Sequence, residues 1–302
     1  MKNSGKIVYY QDELNDEFST VKIKPRIIDE NYKYLHKSTL WNIASFIVQN
    51  IILVPIRIGY AKIKFKIKYI GKEKIKEYKN SGYFVYVNHT QPFGDTLIPT
   101  IPIYPKRNFF IVNPENVSMK ILGNFVQMMG AIPIPSNLEA MKNFKKAIEE
   151  IVYKKHAITI YPEAHIWPYY TKIRPFKNTS FTYPIELEIP TFCITNTYQC
   201  CGKNGVKIVS YIDGPFFPNK DLSKALQKKD LRDKVYNQMV ERSKNSNIEI
   251  VKYCKAEDAT NQQSWKYVTI QNYIFYLHKS FHFSRLRQPL LFPKTKEVEL
   301  TL

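Results

Sequence analysis

Glycine is scarce, at 10 in 302 residues, and no glycine-rich phosphate loop can be assembled from so few. Cysteine is scarcer. Cys193, Cys200, Cys201 and Cys254 show neither the C-x-x-C pairing of a zinc site nor the density of a disulfide scaffold, so they read as reduced thiols in a cytosolic compartment. The vicinal Cys200 and Cys201 have no evident positive helix start beside them to activate a thiolate. Negative charge is in short supply, with 26 Asp and Glu against 45 Lys and Arg, a net of +19. A hydrophobic content of 44% and 14% aromatics nevertheless excludes a disordered chain, and the length excludes a miniprotein. The surplus suits nucleic acid, a phosphate-bearing substrate, an acidic carrier protein or an anionic bilayer. The first 36 residues hold Asp12, Glu13, Asp16 and Glu17 and no apolar run, so no secretory signal is expected.

Charge of either sign is absent from Ser38 to Ile56, a run of 19 residues between Lys37 and Arg57. That length just reaches a bilayer span. Asn42, Ser45 and Gln49 recur at helical spacing, with Asn50 beside the last, and Pro55 is expected to break the helix end. The expectation is a helix lying in one leaflet rather than crossing; a buried core helix with one polar face is the alternative. Residues 57–80 then carry nine basic side chains against Glu73 and Glu77, a local net of +7. Lys62, Lys64, Lys66 and Lys68 alternate with Ile63, Phe65, Ile67 and Tyr69, which predicts a strand with one basic face, suited to anionic lipid.

The middle of the chain alternates β-rich runs with helical patterns, the mark of an α/β fold. Strands are expected at Tyr83–Val87, Asn108–Val112, Ala157–Tyr161, Thr191–Thr195 and Val206–Ile212. Helices are expected at about Leu138–Lys154, opened by a Ser136/Glu139 capping box, and at about Lys220–Arg242, broken near Lys229. The first central strand delivers Asn88-His89-Thr90-Gln91-Pro92-Phe93-Gly94-Asp95. A histidine followed by an aspartate in a Pro- and Gly-containing turn suits a general base oriented by a carboxylate, or else two structural loop residues.

Further segments follow in order: Gly130-Ala131-Ile132-Pro133-Ile134-Pro135, Tyr161-Pro162-Glu163-Ala164 and Ile189-Pro190-Thr191-Phe192. Together the four resemble the boxes of the glycerolipid acyltransferase (PlsC-like lysophospholipid acyltransferase) superfamily over residues 60–200. Three departures stand out. Five residues rather than four separate His89 from Asp95, so Gly94 occupies the usual Asp position. Ala164 replaces the usual glycine, and Ser136 and Ile166 stand where many members place phosphate-binding arginines.

The resemblance implies a mixed sheet flanked by helices, with a membrane-associating N-terminal helix. It divides the chain into a tail and helix at 1–60, a catalytic domain at 61–215 and a helical or mixed extension at 216–302. The activity implied is O-acyl transfer from acyl-CoA or acyl carrier protein to a lysophospholipid, by default 1-acylglycerol-3-phosphate, on the cytoplasmic face of an anionic membrane. By resemblance His89 is the base and Asp95 its orienting partner. Glu163 is assigned to substrate binding, or else to locking the site by hydrogen bonds to neighbouring loops; Asn88 is assigned to substrate binding, with Arg174 and Lys177 as replacement cations or ordinary surface charges. Gly130, Pro162 and Pro190 are architectural. No metal or prosthetic group is implied, and no nucleic-acid partner is expected.

Alternatives remain: a different acceptor, a non-catalytic lipid-binding member, or a basic nucleic-acid-binding protein, which leaves the ordered boxes unexplained. Two histidines four apart, His278 and His282, lack the glutamate of a metalloprotease motif. His165 suits loop packing or an aromatic contact with substrate.

Overall fold

Runs of aromatic and β-branched residues build the sheet. The computed structural model describes residues 6–18, 23–119, 122–202 and 205–256. Its strands are β1 (Lys6–Tyr10), β2 (Lys68–Ile70), β3 (Tyr83–Val87), β4 (Asn108–Val112), β5 (Ala131–Pro133), β6 (Ala157–Ile160), β7 (Thr191–Cys201), β8 (Gly205–Phe216) and β9 (Val251–Lys255). Seven form one sheet in the order β2-β8-β7-β3-β6-β4-β5, and β1 pairs separately with β9. Every pairing in the large sheet is parallel except β7 with β8. Each residue of β3 and β6 is buried, as expected of central strands covered on both faces. The fold is the expected mixed α/β sheet flanked by helices.

The helix Leu138–Tyr153 turns Ala140, Phe144, Ala147, Ile148 and Ile151 to the core. Its cap differs from expectation. Asn137 is the N-cap and its Oδ1 accepts from Ala140 N at 2.7 Å. Ser136 is drawn away instead: its Oγ accepts from Ile28 N and its own N–H donates to Ile28 O, both at 2.9 Å. The helix Lys224–Ser243 is unbroken at Lys229, because Gln227, Leu231, Val235 and Met239 continue one buried stripe past the exposed lysine.

The N-terminal helix runs from Thr39 to Lys64, 26 residues, long and apolar enough by composition to cross a membrane. It does not stop at Pro55. Proline lacks an N–H and crowds the carbonyl four residues back. Here the turns at Ile47–Ile52 are π-helical, and α-helix resumes over Leu53–Gly59. The wider turn accommodates the ring, so the helix continues. Consequently Lys62 and Lys64 lie in the helix and not in a strand. Lys66 takes a positive φ of 45°, Ile67 N bonds back to Ala61 O, and only Lys68–Ile70 reaches the edge of β8. The expected alternation survives from Phe65 onward, where Phe65 is buried and Lys66 and Lys68 are exposed.

This helix is amphipathic in reverse. Ser45, Val48, Gln49, Leu53, Arg57 and Ala61 form its buried stripe, and Ser45 Oγ and Gln49 Nε2 both donate to Met128 O, at 3.0 and 2.6 Å. Its outward face is apolar: Leu40 is 79% exposed and Ile63 84%, with Phe46, Ile51 and Ile56 also exposed. His278 and His282 lie outside the described residues, as does most of the expected C-terminal extension beyond Ala256.

Candidate active site

Parallel strands bring their C-terminal ends to one edge, and loops there carry the candidate residues. β3 ends at Val87 and releases Asn88 and His89. The extra residue in the first box is absorbed by the turn. Asp95 N bonds to Gln91 O at 3.3 Å, and Gln91 N returns a bond to each Asp95 carboxylate oxygen at 3.2 Å. This local ring aims the carboxylate at His89, whose Nδ1 it meets in a short hydrogen bond. Gly94 fits beside Tyr60, whose ring lies 2.8 Å from where a Cβ would stand. Five intervening residues therefore still deliver the His–Asp pair.

The histidine is held from all sides. Its N–H donates to Glu163 Oε2 at 2.8 Å, its carbonyl accepts from Trp167 N at 3.1 Å, and its ring stacks on Tyr161 with centroids 4.5 Å apart. The Tyr161 hydroxyl in turn bonds to the Asp95 carbonyl. With Nδ1 engaged by Asp95 and the side chain 23% exposed, Nε2 is the nitrogen left to exchange a proton with a substrate. Burial pushes the Asp95 carboxyl upward, while the His89 ring and the Gln91 N–H pull against it. A buried carboxylate in that position gains most when the ring beside it becomes positive.

Glu163 forms a brace. Its second oxygen accepts from Arg174 N at 2.8 Å, so one carboxylate ties the His89 loop to the segment after β6. Burial raises its pKa, opposed by the Arg174 guanidinium and by the N–H groups of His89 and Arg174. Ala164, next in the chain, takes φ 63°, the left-handed conformation that glycine adopts most easily. Gly130 has φ 106°, and a Cβ there would stand 2.6 Å from Asn108 O, so that position is architectural. Pro190 is buried and its carbonyl accepts from Phe84 N at 3.0 Å; Pro162 follows β6 and turns the chain toward Glu163.

Other expected roles are reassigned. Arg174 is 1% exposed and lies over the Trp167 ring at 4.8 Å; its guanidinium donates to the carbonyls of Glu13, Glu163 and His165. It presents nothing to a substrate phosphate. Asn88 is also buried, in a reciprocal pair with Asn196: Nδ2 donates to Asn196 O at 3.0 Å, and Oδ1 accepts from Asn196 N at 2.8 Å. It fastens the site to β7 and does not face a ligand. Lys177 is exposed. His165 packs in its loop, with Nδ1 3.6 Å from a Glu17 oxygen. Among the described residues no three His, Cys, Asp or Glu side chains gather as a metal cluster.

Side chains without any sequence signal complete the site. Tyr60, on the N-terminal helix, donates to Gln91 Oε1 at 3.0 Å; Gln91 Nε2 donates to Tyr198 Oη at 2.5 Å, and Tyr198 Oη meets Thr90 Oγ1 at 2.8 Å. Thr90 and Gln91 sit in the first box but between its diagnostic positions. Tyr198 is one of many aromatics in a strand.

A His–Asp pair at a central strand end of an α/β sheet, braced by a buried glutamate, is chemically suited to taking a proton from a hydroxyl. Residues 66–197 match the Acyltransferase family model, and all four boxes lie in that segment. Residues 66–197 are thus an acyltransferase-family segment, in keeping with the resemblance carried by the four boxes. Among solved structures the chain is similar to the 1-acyl-sn-glycerophosphate (LPA) acyltransferase PlsC from Thermotoga maritima, at 15% identity over 70% of this chain and 89% of that one, with a TM-score of 0.45. No curated protein matches the chain.

Proposed function

We propose that the chain is a membrane-surface O-acyltransferase that moves a fatty acyl group from acyl-CoA or acyl carrier protein to a lysophospholipid hydroxyl. The His89–Asp95 contact is the observation that carries this reading. A thioester is already electrophilic, so the enzyme has only to deprotonate the acceptor as it attacks. His89 Nε2 takes the acceptor proton, the acceptor oxygen attacks the thioester carbonyl, and the tetrahedral intermediate collapses with loss of thiolate. The imidazolium formed is stabilised by Asp95 and is the proton source for the departing thiolate. Backbone N–H groups of the turns after His89 are the natural oxyanion donors. Such chemistry needs no metal or prosthetic group.

The membrane supplies the lipid acceptor, and the apolar outer face of the N-terminal helix supports docking there. Tyr60 joins that helix to Gln91, two residues beyond His89, and Phe93 in the same turn is exposed. The attachment proposed is monotopic, because the helix buries one stripe along the domain from Ser45 to Ala61 and faces outward with the rest; the cytoplasmic face is proposed with it.

The default acceptor is 1-acylglycerol-3-phosphate. One observation favours an alternative: Ser136 and Ile166 leave the box positions without a cation, and Arg174, a candidate replacement, is occupied by carbonyls. A different lysophospholipid or a glycolipid is therefore the second reading. Purified protein given an acyl thioester and a panel of acceptors is expected to release free thiol in an acceptor-dependent manner, fastest with lysophosphatidate. A faster acceptor other than lysophosphatidate selects the second reading, and no acceptor-dependent thiol with any lipid rejects acyl transfer.

A further inference from the structure

A cavity of about 910 Å³ lies at the other end of the parallel strands from His89. Tyr83 at the start of β3, Asn108 at the start of β4 and His156 just before β6 form part of its wall. The N-terminal helix closes it through Asn42, Gln49 and Arg57. At about 3.3 Å per strand residue, the length of β3 separates it from the candidate active site by on the order of 15–20 Å. The volume is in the range that small-molecule sites occupy.

Its charge is of one sign. Arg57, Lys76, Lys79 and Arg107 line it, and Lys106, Lys154, Lys155 and His156 add to them, while no Asp or Glu contributes. Two of these cations have partners of their own: Lys154 pairs with Glu150 at 2.6 Å, and Lys106 donates to the carbonyls of Lys79 and Ser81, at 3.0 and 2.8 Å, and to that of Lys155. The two guanidiniums are less well satisfied. Arg57 is 7% exposed, makes one long bond to Gln49 O at 3.4 Å, and leaves its buried Nε without a partner. Arg107 donates to neutral acceptors, Ser45 Oγ at 3.1 Å and Met128 O at 3.5 Å, and its Nε is also unpartnered. Cations drawn out of water without a carboxylate between them are costly to hold, and an anion seated among them offsets that cost. His156 senses the same surroundings: burial first, then the charges of Arg107, Lys106 and Lys154, hold its pKa down to about 4.

We propose that this cavity is a second binding site, separate from the acyl-transfer site, for a ligand bearing phosphate groups. Guanidinium forks match phosphate oxygens two at a time, and the exposed ammonium groups of Lys76, Lys79 and Lys155 add point charge at the mouth. The ligand is either a soluble phosphate compound or a lipid headgroup presented along the neighbouring helix; both meet the same cations.

The test uses the full chain and two probes, inorganic pyrophosphate and monomeric dihexanoyl phosphatidate. Binding is measured by calorimetry, and the His156 ring is followed by NMR. Saturable pyrophosphate binding that moves the His156 titration upward, and weakens at least tenfold in Lys76→Glu/Lys79→Glu/Lys155→Glu, assigns a soluble ligand. The same behaviour with dihexanoyl phosphatidate alone assigns a headgroup. The lysines are exposed, so the variant keeps its fold, checked by an unchanged melting temperature. A His156 titration unmoved by either probe, or an affinity unchanged in the triple variant, overturns the proposal. His89→Ala is expected to bind both probes as the unaltered chain does, so the second site and the acyl-transfer reading fail independently.

Discussion

His89 is fixed through its backbone N–H, its carbonyl, its Nδ1 and its ring face, and among those partners Asp95 and Glu163 are the carboxylates. The two carboxylates have different tasks. Asp95 acts on the ring, and Asp95→Asn keeps the size but loses the charge that steadies an imidazolium; kcat for thiol release is expected to fall by about 10²–10⁴ with the melting temperature little changed. A fall in KM affinity with kcat intact would contradict that role. The neighbouring Glu163 touches backbone alone, so its replacement is expected to cost stability together with activity.

At the scale of elements, the N-terminal helix inverts the usual arrangement by placing Ser45, Gln49 and Arg57 inward and its aliphatic side chains outward. Its outer face is where lipid contact is expected. Replacing exposed Ile47 and Ile51 by asparagine removes apolar area that water already reaches and adds no charge. Recovery of the protein with phosphatidylcholine vesicles containing anionic lipid should drop severalfold, with the melting temperature held. Undiminished recovery would assign vesicle binding to the basic surface alone.

At the scale of the whole described domain, distant segments are stapled at Asp213 on β8. Arg242 of the last described helix donates to it from Nε at 2.7 Å, and Lys74, before β3, does so at 3.0 Å. Burial alone would raise its pKa, but the bonds and charges of Arg242 and Lys74 prevail and hold the carboxyl below its ordinary value. A depressed carboxylate stabilises the fold above its unfolded pKa and loses that contribution as pH falls through the folded one. Asp213→Asn should therefore cost about 1–3 kcal/mol at neutral pH, with the gap to the unaltered chain closing below about pH 4. A gap that persists in acid would point to packing in place of charge. None of the three partners is near another in sequence, so this staple left no pattern to read.

Much of the rest was legible. Buried strands announced themselves as uniform apolar runs, and the order of four short boxes singled out His89, Asp95 and Glu163, which the fold brings together. What failed to show was long-range: that Arg174 faces inward under Trp167, that Asn88 clasps Asn196, and that a π-helical stretch carries the helix past Pro55. Local patterns report on neighbours three or four residues away, and those features depend on partners from 5 to more than 100 residues distant. The ordered boxes nevertheless concentrate the account on one atom, His89 Nε2. The most direct measurement is kcat for acceptor-dependent thiol release by His89→Ala beside the unaltered chain, with equal folding verified: the account predicts a loss of about 10³-fold or more, and undiminished turnover would contradict it.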